Sequence, residues 1–156
     1  MADVHDPKTR SKNMRAIHNH GTAIEKKVAE FLREIEIDYR EQVSELSGKP
    51  DFVIDERKTI IFVHGCFWHQ HDCYLFKLPK TRTEFWKKKI SQNNNRDLRV
   101  INQLEGDGWK VMLIWECALK GRLRLSDGEM RDRIDEGINR VQRSCYIDTN
   151  GIFTFC

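Results

Sequence analysis

The chain has no apolar run approaching the roughly 18–20 residues that a membrane-spanning helix needs. Its first residues, MADVHDPKTRSKNMRAI, lack the apolar centre of a secretory signal. Internal repeats, low-complexity tracts and a linker between domains are missing too, so one domain over residues 1–156 is expected, cytoplasmic and with no membrane partner. There is no strong imbalance of charge: the formal net charge is +3, too small to establish a nucleic-acid partner. Cysteine is scarce and odd in number, five in all, which does not describe a disulfide framework.

What is present is uneven. The twelve residues 63–74, VHGCFWHQHDCY, hold three of the six histidines, two of the five cysteines and three aromatics. In a reducing compartment such a cluster favours metal ligation over disulfides, whereas the distant Cys145 and Cys156 read as free thiols. Charge is also local. Between Lys77 and Arg99 stand eight basic residues (Lys77, Lys80, Arg82, Lys87, Lys88, Lys89, Arg96, Arg99) against Glu84 and Asp97, with asparagines and aromatics interleaved. That mixture suits phosphate and base contacts, although a solvated helix face has the same composition.

The first twenty residues are polar and basic and read as an arm. From Thr22, the apolar residues Ile24, Val28, Phe31, Leu32 and Ile35 recur at helical spacing, and Thr22-x-x-Glu25 is a capping box. Strands are expected at Tyr39–Val43, Phe52–Asp55 and Thr59–Val63, with a break at Gly48-Lys49-Pro50 and a hairpin turn at Asp55-Glu56-Arg57-Lys58. A long helix is expected over Thr83–Glu105, ended near Gly106 and Gly108. A buried strand at Trp109–Trp115 follows, and a last helix over Ser126–Arg143 begins at a Ser N-cap. The order α-β-β-β-α-β-α implies an α/β fold, a mixed sheet with helices on its faces.

Two features carry chemistry. Pro50-Asp51 opens one strand, and the next strand, TIIFV, runs into His64, so Asp51 and the end of that strand should lie side by side. This resembles nucleases in which a carboxylate holds Mg²⁺ beside the scissile phosphate. Where those nucleases carry an acidic residue, a spacer and a lysine, this chain has Phe62-Val63-His64. A proline followed by a turn-capping aspartate is the commoner origin of the same dipeptide.

The second feature is the histidine and cysteine cluster. Tetrahedral zinc needs four N/S ligands; His64, Cys66, His69, His71 and Cys73 are available, and Cys117, just after the Trp109–Trp115 strand, is a distant residue that could supply the fourth ligand and close the site. Spacing does not show which of them bind. On the long helix, Trp86, Ile90, Asn93, Asp97, Ile101 and Leu104 share one face, so Asp97 is an inward carboxylate in want of a donor. A histidine would gain a fixed tautomer from it, and an arginine is an equal candidate. The H-x-E and P-C-x-x-C signatures of zinc deaminases are absent.

Taken together, RSKNMRAI (10–17), TAIEKKVA (22–29), PDFVID (50–55), HGCFWHQHDCYLFK (64–77), TRTEFWKKKI (81–90), NNRD (94–97) and WECAL (115–119) resemble the very short patch repair (Vsr) endonucleases. HGCFWH followed by a further His and Cys is the most specific of these. The resemblance implies a restriction-endonuclease-like core, a variant of the PD-(D/E)xK type, with a structural zinc site. It implies nicking of one strand 5′ of the thymine in a T:G mismatch left by deamination of 5-methylcytosine. By resemblance, Asp51 and the backbone carbonyl of Val63 would hold Mg²⁺; well-known members have Thr at the place of Val63, a change that a carbonyl ligand survives. His69 would be the general acid/base supported by Asp97, with His64 and Glu25 near the phosphate. Zinc would go to Cys66, His71, Cys73 and Cys117. Phe67, Trp68 and Trp86 would wedge into the base stack, and Met14, Arg15 and Ile17 of the arm (residues 1–20) would contact DNA. The implied enzyme acts as a monomer on duplex DNA in the cytoplasm, at the nucleoid, with mismatch-repair accessory proteins as possible partners.

Overall fold

A computed structural model describes residues 22–69 and 71–155; Met14, Arg15 and Ile17, expected to contact DNA, lie outside the described residues. Helix α1 (Ala23–Glu34) starts where the capping signal stands, with the Thr22 hydroxyl accepting from the Glu25 backbone N–H at 3.4 Å. Its apolar face buries Val28, Ala29, Phe31 and Leu32. Then come β1 (Arg40–Glu41), β2 (Phe52–Ile54), a 3₁₀ turn (Asp55–Arg57) and β3 (Thr59–His64). Helix α2 (Thr83–Gly106), β4 (Lys110–Trp115), the single-turn α3 (Glu116–Leu119) and α4 (Asp127–Asn139) follow, and β5 (Cys145–Asp148) with β6 (Gly151–Thr154) closes the chain.

The six strands form one mixed sheet in the order β1-β2-β3-β4-β5-β6. The β3–β4 and β4–β5 pairs are parallel and the others antiparallel. Alternation along each strand sends side chains to opposite faces. On one face Ile61, Val63, Met112, Ile114 and Ile147 pack with α1, α3 and α4. On the other, Ile60, Phe62, Val111 and Leu113 pack with Leu104, Val100 and Ile101 of α2. The central strands are buried on both faces, which is why they read as continuous apolar runs. Among the described residues, no helix is long and apolar enough to cross a membrane.

Four elements depart from the sequence reading, one of them the single-turn α3, which the expected order lacks. The strand expected over Tyr39–Val43 shrinks to Arg40–Glu41, because Gln42 turns into the left-handed region with φ 50°. Helix α4 stops at Asn139 rather than Arg143. The cause is tertiary: the Lys110 ammonium, reaching from β4, donates to the carbonyls of Gly137, Ile138 and Val141 at 2.6, 3.0 and 2.6 Å, satisfying the helix's last acceptors. Gly137 allows this approach, since a Cβ there would lie 2.4 Å from the Met112 sulfur. The hairpin β5–β6 was not expected at all.

Candidate active site

The C-terminal end of β3 and the N-terminal end of β2 open onto a cleft of about 880 Å³. Asp51, Val63, His64, His69, Asp97 and Glu25 all line it. Antiparallel pairing of Phe52 with Ile61 sets this juxtaposition, because continuing the ladder one step carries Asp51 beside the end of β3. The Val63 backbone N–H donates to Asp51 Oδ2 at 2.8 Å. A strand residue's N–H and C=O leave on the same edge, so the Val63 carbonyl lies on Asp51's side. Gln42 Nε2 donates to Asp51 Oδ1 at 3.3 Å and to Glu25 Oε2 at 3.2 Å. The Glu25 carboxylate thus joins the cleft while its own backbone N–H serves the helix cap.

Burial pushes the Asp51 carboxyl up to about 7, with the Glu25 charge adding, against the lowering effect of the Val63 N–H, Gln42 and Lys49. A carboxyl whose pKa is raised by folding contributes stability below its unfolded value, near pH 4, and loses that stability as pH climbs through about 7. In zinc-loaded, Mg²⁺-free protein, Asp51→Asn is therefore expected to raise Tm, more at about pH 8 than at about pH 5.5. Equal Tm differences at the two pH values in calorimetry would show that the ionised carboxylate is not the burden.

The histidines lie opposite. His64 and His69 stack with ring centroids 3.8 Å apart and planes 5° from parallel. His69 Nδ1 is hydrogen-bonded to Asp97 Oδ2, the carboxylate on the inward face of α2. Of the two candidate partners for Asp97, the fold supplies the histidine. His64 is 6% exposed, and its Nδ1 has no hydrogen-bond partner among the described residues. Burial, and then the neighbouring His69, hold its pKa below the usual histidine range, so it stays neutral. His64, His69 and Asp97 are close enough to share a metal ion. Imidazole lone pairs lie in the ring plane, however, and two stacked, parallel rings do not converge on one ion; the Asp97 oxygen is also already engaged.

A second cluster lies behind this one. Donor atoms of Cys66, His71, Cys73 and Cys117 are all within 4.8 Å of one another. His71 Nδ1 is 3.5 Å from both Cys66 Sγ and Cys117 Sγ. Zinc–ligand bonds of about 2.0–2.3 Å at a tetrahedral angle imply an N···S separation of about 3.5 Å, so the donor set fits that ion. Hydrogen bonding with Cys66 pulls the Cys117 thiol pKa down, helped by His71 and the Thr149 N–H, and pushes that of Cys66 up. The other ring nitrogen of His71 faces Asp148 at 3.9 Å.

Trp115, which the sequence gives no role in the site, is the wall between the clusters. It stacks on His71 at 4.1 Å and meets His64 edge-on at 5.3 Å. Gln42, Asn93 and Phe76 were also unassigned. Asn93 Nδ2 donates to the Trp68 carbonyl at 3.0 Å, tying the loop to α2. Phe67 and Trp68, which line the cleft, form with Trp86 a half-buried triangle with centroids 5.1, 5.5 and 5.8 Å apart, and Phe76 lies 6.1 Å from Phe67. All eight basic residues from Lys77 to Arg99 are exposed.

Comparison with known proteins fits this arrangement. The family described as DNA mismatch endonuclease Vsr matches residues 2–75. The chain is 54% identical to DNA mismatch endonuclease Vsr of Escherichia coli (strain K12) over 152 residues, 97% of either chain. It is 40% identical to the type II nicking enzyme V.NmeAIP of Neisseria meningitidis serogroup A over 78% of this chain and 87% of that one. With the type II nicking enzyme V.XorIIP of Xanthomonas oryzae pv. oryzae it shares 38% identity over 80% of this chain and 96% of that one. The relatives are named as a DNA mismatch endonuclease and as nicking enzymes, which sets the class: an endonuclease with a mixed α/β core. Within it, the chain belongs to the Vsr DNA mismatch endonuclease family.

Proposed function

We propose that this endonuclease nicks one strand of duplex DNA 5′ of the thymine in a T:G mismatch, the product of 5-methylcytosine deamination, and so begins very short patch repair. The observation that carries the reading is the cleft that gathers Asp51, Val63, His64 and the His69–Asp97 pair beneath an aromatic triangle. The core is read as a restriction-endonuclease-like variant, with the described strands and helices as one catalytic domain.

Asp51 and the Val63 carbonyl offer hard oxygen donors, the set that Mg²⁺ prefers. Each Asp51 oxygen accepts one protein donor and keeps a lone pair for a cation. Mg²⁺ held there would polarise the phosphate and favour ionisation of water. His69, oriented through Nδ1 by Asp97, presents Nε2 to exchange a proton with the reacting oxygens. His64, neutral beneath it, lines the same cleft near where the phosphate would lie, and Glu25 adds negative charge beside Asp51. Cys66, His71, Cys73 and Cys117 would hold zinc, whose role is to tie the loop bearing Phe67, Trp68 and His69 to the sheet. Wedging Phe67, Trp68 and Trp86 between bases costs roughly a few kcal/mol, and less beside a poorly stacked T:G pair, which supplies part of the selectivity.

The test is nicking of end-labelled duplexes carrying each mismatch in several flanking contexts, with and without Mg²⁺, zinc being retained. The expected result is a single Mg²⁺-dependent nick 5′ of T in T:G. Cleavage with zinc alone would favour a catalytic zinc instead, and binding without any nick would reduce the protein to a zinc-containing DNA-binding module.

A further inference from the structure

We propose that Gln42 is the positioning residue of the Asp51 site, a clamp that fixes the two carboxylates before a divalent cation arrives. This inference rests on the reading of Asp51 as the Mg²⁺ ligand. Three observations converge on it. The Gln42 side-chain amide spends its two N–H bonds on two different carboxylates, Glu25 at 3.2 Å and Asp51 at 3.3 Å. The Gln42 backbone N–H also donates to the Asp51 carbonyl at 3.0 Å, so the same residue grips Asp51 at both its main chain and its side chain. And Gln42 does this from φ 50°, a conformation that favours glycine or asparagine and that a glutamine adopts at some cost.

The left-handed turn is what makes the double grip possible. It ends β1 after two residues and swings the side chain out of the strand's alternation towards the cleft. Two like-charged carboxylates side by side repel, and each would otherwise relax away from the other. A neutral amide between them, donating to both, holds them without consuming their charge. With Val63 N–H on the second Asp51 oxygen, the carboxylate plane is fixed by donors on both sides. Outer partners that orient a metal ligand in this way are typically worth about 10- to 100-fold in metal affinity.

The experiment measures cation affinity directly, by Mn²⁺ binding in electron paramagnetic resonance on the zinc-loaded protein, alongside kcat and KM for a T:G duplex. Gln42→Met keeps the length and removes the amide; Gln42→Gly removes the amide and relieves the left-handed backbone. Both are expected to weaken Mn²⁺ binding by about 10- to 100-fold. Both should lower nicking at limiting Mg²⁺, with recovery at high Mg²⁺ and an unchanged duplex KM. Gln42→Gly should do so with Tm equal to or above wild type, a combination that a purely structural role does not produce. Unchanged Mn²⁺ affinity in both variants, or loss that follows Tm, overturns the clamp. Asp51→Ala run in parallel separates the two claims: if it too binds Mn²⁺ like wild type, the Asp51 assignment fails, and if only the Gln42 variants do, the clamp fails alone.

Discussion

Replacing Asp51 with alanine is expected to reduce nicking of a T:G duplex by about a thousandfold or more and to leave duplex binding intact. A metal ligand at the reacting phosphate contributes several kcal/mol to the transition state, and roughly 4 kcal/mol corresponds to that factor. Binding draws on other parts of the molecule. The aromatic triangle of Phe67, Trp68 and Trp86 reaches the cleft through Phe67 and Trp68, and the exposed basic residues lie between Lys77 and Arg99. Asp51 and Glu25 are neighbouring carboxylates facing the polyanion, so without Mg²⁺ the loss of one of them should leave affinity equal or slightly higher. The measurement pairs a nicking assay in Mg²⁺ with a gel-shift titration in its absence. Parallel losses in both would mean that Asp51 supports the shape of the cleft rather than the chemistry.

How much of this was legible in the residues depends on the range of the forces involved. Helix α1, the β2–β3 hairpin and α2 follow from local periodicity and capping, and the structure has them nearly where the pattern lies. Gln42 could not be read that way: nothing local marks a glutamine for φ 50°, and its reason is the pair of carboxylates it meets, Glu25 on α1 and Asp51 just before β2. The end of α4 is likewise set from a distance, by Lys110 on β4. The β5–β6 hairpin is a different failure. Asn150-Gly151 between Tyr146-Ile147 and Ile152-Phe153 resembles a two-residue hairpin turn, but Asp148 pairs with Gly151, so Thr149-Asn150 make the turn and Gly151, at φ 119°, opens β6.

The site divides in the same manner. The stripe on α2 showed that Asp97 faces inward, while the choice between a histidine and an arginine needed the fold, which supplies His69. Which histidine joins the cysteines was not in the spacing. His69 and His71 are two residues apart, and the loop around them is held by irregular bonds, such as His71 N–H to the Cys66 carbonyl at 2.9 Å. That backbone bond is what turns His71 towards Cys66 and Cys117 while His69 faces Asp97. No periodicity predicts such a turn.

Cys117→Ser is the second substitution with a large expected effect, on metal content and stability together. Cys117 is fully buried in α3, directly after β4, and its sulfur meets His71 Nδ1 at 3.5 Å. Serine keeps the size but is a poor zinc ligand, so zinc content should fall from about one per chain to near zero. Metal binding to a folded site is folding free energy, and losing it also leaves polar and ionisable groups buried without a partner. A loss of about 3–5 kcal/mol is expected, which for a chain of this size lowers Tm by roughly 10 °C. Cys145→Ser is the matched control: Cys145 is equally buried but packs in the core between sheet and α4, away from the cluster. It should lose stability through a buried hydroxyl and keep its zinc. The two centres share one loop, with Phe67, Trp68 and His69 lying between Cys66 and the pair His71 and Cys73. Zinc loss in Cys117→Ser should therefore also reduce nicking, because the loop that presents His69 to Asp97 loses its tether to the sheet. A zinc stoichiometry unchanged by Cys117→Ser would remove Cys117 from the metal centre, and with it this link between the two sites.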